Sequence, residues 1–230
     1  MTLALVHSPL VGPLTWQAVA EVLRDGGEVV VVPDLTRSVA VGSPVLPAVQ
    51  QAAADAIDTA RPPGPVVLVG HSGAGPLLPG IADRAAAPVR ALLYVDSLLP
   101  QAGASWFDRA PADLADHLRG LARDGVLPPW NEWFGADAIE EVLPDPHLRE
   151  RFVADVPRLP LSYFHEPAPP ASWDGPSGYI LLSEAYENDA AQARRRGWPV
   201  LERRSHHLSM LTDPATAAAA ILELVDSLSR

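Results

Sequence analysis

Three separate stretches of this 230-residue chain carry side chains that together could perform nucleophilic chemistry. The run PVVLVGHSGAGPLLP contains Ser72, LLYVDSLLP contains Asp96, and RRSHHLSML contains the adjacent histidines His206 and His207. A serine hydroxyl is a weak nucleophile until a base takes its proton, and a carboxylate makes that base effective by orienting it. The three stretches therefore predict covalent catalysis at a serine, provided that the fold joins them.

Ser72 is predicted to lie on a sharp turn between a buried strand and a helix. Gly70 and Ala74 flank it at the two positions where a larger side chain would clash, which gives the pattern G-x-S-x-A. Such a turn exposes the hydroxyl at the end of the sheet, and it aims backbone N–H groups, that of Gly73 first, at charge that develops beside it. The alternative is a turn serine with a structural role only.

The elements that must position these residues follow an alternating pattern. Short apolar runs alternate with longer helix-period segments, as expected for a mostly parallel six-stranded sheet flanked by helices. The predicted strands are 3–7, 28–32, 66–69, 91–95, 179–182 and 199–203. The predicted helices between and after them are 15–25, 46–61, 73–84, 188–196 and 214–228, the last with an N-cap at Asp213.

One region departs from this alternation. Residues 100–176 follow the fourth predicted strand, contain no convincing buried strand, and hold nine of the 14 aromatic residues. We therefore predict an α/β core formed by residues 1–99 and 177–230, with residues 100–176 inserted as a helical cap. The aromatic side chains of the cap either form its own small core or line an apolar pocket above the sheet. The candidates for the pocket roof are Trp106, Trp130, Trp133 and Phe134.

Composition narrows the range of partners and cofactors. The formal net charge of -11 disfavours nucleic acid and anionic membrane as partners. The chain has no cysteine, and its seven histidines show no metal-binding spacing, so no metal site is expected. No phosphate loop or dinucleotide fingerprint is visible, so no cofactor is implied. Without a basic leader or a long apolar segment, we expect a cytoplasmic monomer or homodimer that acts on a small molecule.

The chain resembles the α/β-hydrolase superfamily, and most nearly its small branch of plant methylesterases and hydroxynitrile lyases. The resemblance spans nearly the whole length. LALVHSPLVGPLTW matches the oxyanion loop, GHSGAG the nucleophile turn, YVDSLLP the segment after the next strand, and HHLSML the catalytic histidine. The family pattern after that histidine places the match on His207 rather than His206.

The resemblance also implies an oxyanion hole, and here the sequence departs from the family. The hole uses the N–H of the residue after the serine, here Gly73, and that of the residue after an HG pair. His7-Ser8 replaces HG, and the next residue is Pro9, which has no N–H to donate. Ser8 could substitute through its hydroxyl or its N–H.

The position of the catalytic carboxylate is the second departure from the family pattern. Close relatives carry a carboxylate after the strand that YILLSEAYEND represents, but Ala185 stands at that position. Asp96, at the end of the preceding strand, is the first candidate, because some members of the superfamily supply the acid from there. Glu184 is the second candidate, and a site that uses neither is the third alternative.

Together these features predict a serine hydrolase that acts on an ester or related acyl bond of a small, largely apolar molecule. The missing donor at Pro9 favours an alternative, in which the fold performs lyase, cyclase or dehydratase chemistry with His207 as general acid and base. A third hypothesis is a catalytically silent protein that binds a small molecule.

Overall fold

The computed structural model describes residues 1–39, 44–169 and 173–228, with the backbone alone at residues 136 and 137. In the part of the chain described, apolar runs form eight strands. They are β1 (Thr2–Val6), β2 (Val29–Val31), β3 (Val66–Ser72), β4 (Val89–Ser97), β5 (Val126–Leu127), β6 (Leu159–Pro160), β7 (Ser177–Leu181) and β8 (Val200–Glu202).

Six of these strands form one parallel sheet in the order β2-β1-β3-β4-β7-β8. The strands that carry the candidate serine and acid, β3 and β4, are central neighbours, so their carboxyl ends meet at the same edge. The predicted six-stranded α/β sheet is confirmed.

Helices cover both faces of the sheet, because side chains alternate in direction along each strand. Leu68 and Leu92 face one apolar cluster, which the helices Val45–Thr59 and Leu78–Arg84 complete. Val67 and Leu93 face the other, which the helices Leu14–Asp25 and Pro214–Ser227 complete. The helices are α1 (Leu14–Asp25), α2 (Thr36–Val39), α3 (Val45–Thr59), α4 (Leu78–Arg84), α5 (Trp106–Arg109), α6 (Ala112–Leu121), α7 (Ala136–Val142), α8 (Pro146–Ala154), α9 (Glu187–Arg195), α10 (Ser209–Thr212) and α11 (Pro214–Ser227).

The segment between β4 and β7 contains α5 to α8 and the short antiparallel pair β5–β6. Its aromatic side chains pack partly into one of the clusters that cover the sheet, since Phe107, Trp133 and Phe164 share a cluster with Leu68. The predicted boundaries of a cap at residues 100 and 176 stay a prediction.

The ends of two predicted helices show how local sequence shapes the fold. Asp213 accepts a hydrogen bond from the Thr216 N–H, which confirms the predicted N-cap of α11. The helix after Ser72 begins as one 3₁₀ turn, Gly75–Leu77, before α4 starts. Pro76 and Pro79 lie within the first turns of these two segments, where a missing N–H costs little. None of the described helices has the length and apolar character that crossing a membrane requires.

Candidate active site

Ser72 lies at the last position of β3 with a φ of +57°, in the left-handed region that non-glycine residues seldom occupy. The turn is tight on both sides. A β-carbon at Gly70 would lie 2.9 Å from the side chain of Leu78, and one at Gly75 would lie 2.1 Å from the carbonyl oxygen of Leu98. Glycine is therefore required at position 75, whereas a side chain at position 70 would have to displace Leu78, and the strained turn holds Ser72 at the end of the sheet.

Asp96 and His207 contact each other directly. The Nδ1–H of His207 donates to Asp96 Oδ2 over 2.7 Å. Asp96 is the penultimate residue of β4 and has a left-handed conformation with a φ of +43°, and its side chain is completely buried. Its carboxylate also accepts hydrogen bonds from the N–H groups of Leu182 and Ser183, each 2.9 Å long, and from the Ser183 hydroxyl at 2.6 Å. Asp96 is thereby fixed between the ends of β4 and β7.

These contacts decide the ionisation of Asp96. Burial by itself would raise the pKa of the carboxyl group, because it removes the charged form from water. The hydrogen bond and charge of His207, together with the bonds from Ser183, outweigh burial and hold the pKa of Asp96 below its ordinary value of 3.8. Asp96 is therefore a carboxylate at neutral pH, and it fixes the proton of His207 on Nδ1.

Two aromatic rings position His207. The ring of His71 lies 4.4 Å from the imidazole, centroid to centroid, and its Nε2–H donates to the backbone carbonyl of His207 over 2.9 Å. Burial, followed by the nearby charge of His207, lowers the pKa of His71 well below its ordinary value, so this ring stays neutral. The ring of Tyr186 stacks on His207 with centroids 5.0 Å apart and planes 10° apart.

The hydroxyl of Tyr186 also contacts the candidate nucleophile, because Ser72 Oγ and Tyr186 Oη are 3.1 Å apart. Burial raises the pKa of the Tyr186 phenol far above its ordinary value, so the phenol keeps its proton and can donate. Among the described residues no hydrogen bond joins Ser72 to His207. One phenol ring therefore touches both the serine and the imidazole.

On the other side of Ser72, three groups face Gly73. A β-carbon at position 73 would lie 2.8 Å from Ser8 Oγ, 3.7 Å from Tyr163 Oη and 3.8 Å from Pro9 Cδ. Ser8 Oγ accepts a hydrogen bond from the Leu10 N–H over 3.2 Å, which leaves its own proton to donate. The structure thus places Ser8, Pro9 and the phenol of Tyr163 beside Gly73.

The loop that carries Ser8 is held by His7. The His7 Nδ1–H donates to the Ser8 carbonyl over 2.8 Å, and Nε2 accepts from the Leu35 N–H over 3.1 Å. Burial lowers the pKa of His7, which is consistent with this neutral tautomer. Asp34 accepts hydrogen bonds from Thr36 within the adjoining loop. The hydrogen bonds of both residues therefore order loops.

The four aromatic residues predicted to form the roof of a pocket lie in three different places. Trp106 lines a cavity of about 40 Å³ beside Gly73. Trp130 and Phe134 line a cavity of about 210 Å³ beside His207. Trp133 is buried against Phe164, and its indole N–H donates to the Pro128 carbonyl, so it lines neither cavity.

His206 and Glu184, the alternatives to His207 and Asp96 in the sequence analysis, do not take part in the contact between His207 and Asp96. His206 Nε2 is 3.0 Å from the Thr212 hydroxyl, and its pKa is lowered by burial and by the charge of His207. Glu184 is exposed, and no hydrogen bond joins it to His207 in the part of the chain described. Among the described residues there is also no cluster of side chains suited to hold a metal ion.

Sequence reasoning missed four residues of this site: His71, Tyr163, Ser183 and Tyr186. Local signals existed for three of them, since His71 precedes the serine in the turn motif, and Ser183 and Tyr186 flank Glu184 in the loop after β7. Tyr163 gave no such signal, because it reaches the site from the distant 3₁₀ segment Leu161–His165.

Comparisons with known proteins give a family and a fold. A family model described as the alpha/beta hydrolase family matches residues 3–221. A carbendazim hydrolyzing esterase from Nocardioides sp. (strain SG-4G) is 43% identical over 49 residues, which span 21% of this chain and only 20% of that relative.

Two solved structures cover nearly the whole chain. One is an extracellular alpha/beta-hydrolase from a Paenibacillus species, described as sharing structural and functional homology with tobacco salicylic acid binding protein 2. It superposes with a TM-score of 0.78 at 17% identity, and the match covers 97% of this chain and 98% of the other. A pyrethroid hydrolase from Sphingobium faniae JZ-2 superposes with a TM-score of 0.70 at 19% identity, covering 98% and 97%. At such identities the likeness concerns the fold.

The lowered pKa of Asp96 generates a prediction about stability and pH. Because the folded-state pKa lies below the unfolded value of 3.8, the ionised carboxylate stabilises the fold above that pH, and this stabilisation is lost as the pH falls through the folded pKa. Asp96→Asn should lower the free energy of unfolding at pH 7 by roughly 2 to 4 kcal/mol. The deficit should shrink below pH 3.8. Urea unfolding from pH 7 to pH 3 measures it, with the exposed Glu184→Gln as control. A deficit that does not change with pH would contradict the assignment.

Proposed function

The chain belongs to the alpha/beta hydrolase family, and from this membership and the geometry of the site we propose that it is a serine esterase. It hydrolyses an ester or related acyl bond of a small, largely apolar molecule. The observation that carries the proposal is the 2.7 Å contact between His207 and the buried Asp96, next to a serine held on a strained turn. The esterase and hydrolase names of the relatives support the same class of reaction.

Each member of the proposed triad has one role. Asp96 keeps the proton of His207 on Nδ1, so Nε2 presents a lone pair and acts as the base. Ser72 Oγ attacks the carbonyl carbon while its proton passes to Nε2. The resulting imidazolium returns that proton to the leaving oxygen, and water then releases the acyl group by the reverse sequence of proton transfers.

For attack to occur, the proton of the Ser72 hydroxyl must point to His207 while Oγ accepts from Tyr186. Catalytic hydrogen bonds are often long or misaligned before substrate binds, so the bond from Ser72 to His207 is proposed to form in the complex with substrate. Tyr186 keeps its proton at all relevant pH values because burial raises its pKa. We assign Tyr186 the role of a hydrogen-bond donor to Ser72 Oγ, which supports the serine oxygen as its own proton leaves.

The oxyanion hole is proposed to combine one backbone donor with side-chain donors. Gly73 supplies its N–H as the family pattern requires, whereas Pro9 has none to supply. The hydroxyls of Ser8 and Tyr163 lie on the same side of Ser72, within 4 Å of a β-carbon placed at position 73. Burial raises the pKa of Tyr163, so this phenol also remains a donor.

One observation favours a second candidate function. Ser72 bonds to Tyr186, and no hydrogen bond to His207 appears among the described residues. In a non-hydrolytic reaction His207 would act alone as general acid and base, and Ser72 would only hydrogen-bond the substrate. The two candidates separate on one point, since only the esterase requires a covalent bond to Ser72.

Labelling with a fluorophosphonate probe tests the triad. The wild-type protein should react, Ser72→Ala should not react, and His207→Ala should react at least about 10³-fold more slowly. Asp96→Asn should slow the reaction strongly, while Glu184→Gln should leave its rate unchanged. Circular dichroism of each variant confirms that it folds. Equal effects of the two acid variants would refute the assignment of Asp96 as the acid, and turnover that survives Ser72→Ala would refute the esterase assignment.

The hydroxyl donors generate a separate prediction. Ser8→Ala and Tyr163→Phe should each lower kcat by about 10²-fold with little change in KM, because they act on the transition state. Each should weaken binding of a trifluoromethyl ketone, which forms an oxyanion adduct, by the same factor. Tyr94→Phe is the matched control, since this buried tyrosine stacks on Trp198 instead. A loss of kcat without a loss of ketone affinity would remove both hydroxyls from the hole.

A further inference from the structure

Two cavities of unequal size adjoin the proposed catalytic residues from different sides. One of about 40 Å³ touches Gly73, and the other of about 210 Å³ touches His207. The Ser72–Tyr186 hydrogen bond links residues that adjoin the lining of both cavities, because Ser72 precedes Gly73 and the Tyr186 ring stacks on His207. The two parts of an ester bound to Ser72 would therefore meet different amounts of space.

The cavity beside Gly73 is small and offers no unpaired charge. Its two charged lining residues are both occupied with protein groups. Glu166 accepts the N–H groups of Val45 and Leu46 at 2.7 and 2.8 Å, and Arg109 pairs with Asp189 over 2.8 Å. The remaining contacts there are largely apolar or small. This cavity suits a short, uncharged group.

The cavity beside His207 is larger and almost wholly apolar. It is lined by the imidazole together with Trp130, Asn131, Phe134, Ala138, Ile139, Val142 and Leu208. Phe134 is 46% exposed, which leaves an uncovered ring at the wall of this cavity. An apolar ring from a ligand would cover it.

Size separates what the two cavities accept. A cavity of about 150 Å³ in an engineered protein core holds benzene. The cavity beside His207 exceeds that volume at about 210 Å³, and the cavity beside Gly73 reaches less than a third of it at about 40 Å³. A six-membered ring therefore fits beside His207, while a group of methyl or ethyl size fits beside Gly73.

The chemistry of the proposed esterase assigns each cavity to one side of the ester bond. His207 must deliver its proton to the departing oxygen, so the alcohol part lies on its side. The carbonyl oxygen points to the Gly73 N–H, so the acyl part extends away from His207 into the smaller cavity. We infer that the preferred substrates are esters of a short acyl group with an alcohol that carries an apolar ring. This inference rests on the proposed function.

The reaction of such a substrate balances without a cofactor. Ser72 Oγ bonds to the acyl carbon, the bond from that carbon to the alcohol oxygen breaks, and the proton from Ser72 passes through His207 to the ring-bearing alcohol. Water then adds to the acyl carbon, its proton returns through His207 to Ser72, and the short carboxylic acid leaves.

A pair of isomeric esters tests the orientation directly. Benzyl acetate and methyl phenylacetate contain the same atoms, but the ring lies on the alcohol side in the first and on the acyl side in the second. Both release primary alcohols of similar basicity, so their intrinsic reactivities are close. We expect kcat/KM to be at least about 10-fold higher for benzyl acetate. Equal values, or a preference for methyl phenylacetate, would overturn the inference.

Variants of the two cavities sharpen the test. Leu98→Ala enlarges the cavity beside Gly73 and should raise kcat/KM for methyl phenylacetate. Val142→Trp fills the cavity beside His207 and should lower kcat/KM for benzyl acetate. Val22→Trp, on the exposed face of α1, is the matched control and should leave the ratio unchanged. Effects in the opposite directions would contradict the assignment of the cavities.

The same assays separate a failure of the inference from a failure of the proposed function. A protein that reacts with the fluorophosphonate at Ser72 but prefers methyl phenylacetate is still a serine esterase, and only the orientation is wrong. A protein that neither reacts with the probe nor hydrolyses either ester is not a serine esterase, and the inference is overturned with it.

Discussion

The rest of the site depends on the hydrogen bonds that surround the buried carboxylate of Asp96. A carboxylate removed from water is costly unless it is fully hydrogen-bonded. Here Leu182, Ser183 and His207 supply the donors, and they come from the segments after β7 and β8. The charge therefore ties the ends of three neighbouring strands together, and the same bonds that offset its desolvation orient the imidazole.

Strain is concentrated next to that carboxylate. Ser72 is the last residue of β3 and Asp96 is the penultimate residue of β4, and both have a positive φ, which costs about 1 to 3 kcal/mol at each residue. The Ser72 carbonyl accepts the Ser97 hydroxyl at 2.6 Å and the Leu98 N–H at 3.2 Å. These bonds join Ser72 to the residues that follow Asp96, so strands rather than loops position the candidate nucleophile and the candidate acid.

Much of this arrangement could be predicted from the sequence. The alternation of apolar runs gave all six strands of the main sheet, because periodicity and strand length are local properties. The glycine pattern around Ser72 indicated the turn. The resemblance to the family selected His207 and made Asp96 the first candidate for the acid, and these two side chains contact each other in the structure. The lack of a donor at Pro9 was also visible, since proline has no N–H in any fold.

The remaining residues could not be predicted, because their roles depend on side chains that meet from distant segments. Tyr163 reaches Gly73 from the inserted segment, and Tyr186 turns a phenol back onto Ser72 after β7. The four candidate roof aromatics illustrate the same limit. Composition places them in one region, but only packing separates Trp133, which joins the core, from Trp130 and Phe134, which line a cavity.

The most direct test of the account is a crystal structure of the protein after reaction with diethyl 4-nitrophenyl phosphate, which leaves a diethyl phosphate group on an activated serine. We predict that the phosphorus is bonded to Ser72 Oγ and that its free oxygen lies about 3 Å from the Gly73 N–H and from a hydroxyl of Ser8 or Tyr163. His207 should face the adduct while still bonded to Asp96. An unmodified Ser72, or a phosphorus atom on Tyr186, would contradict the account.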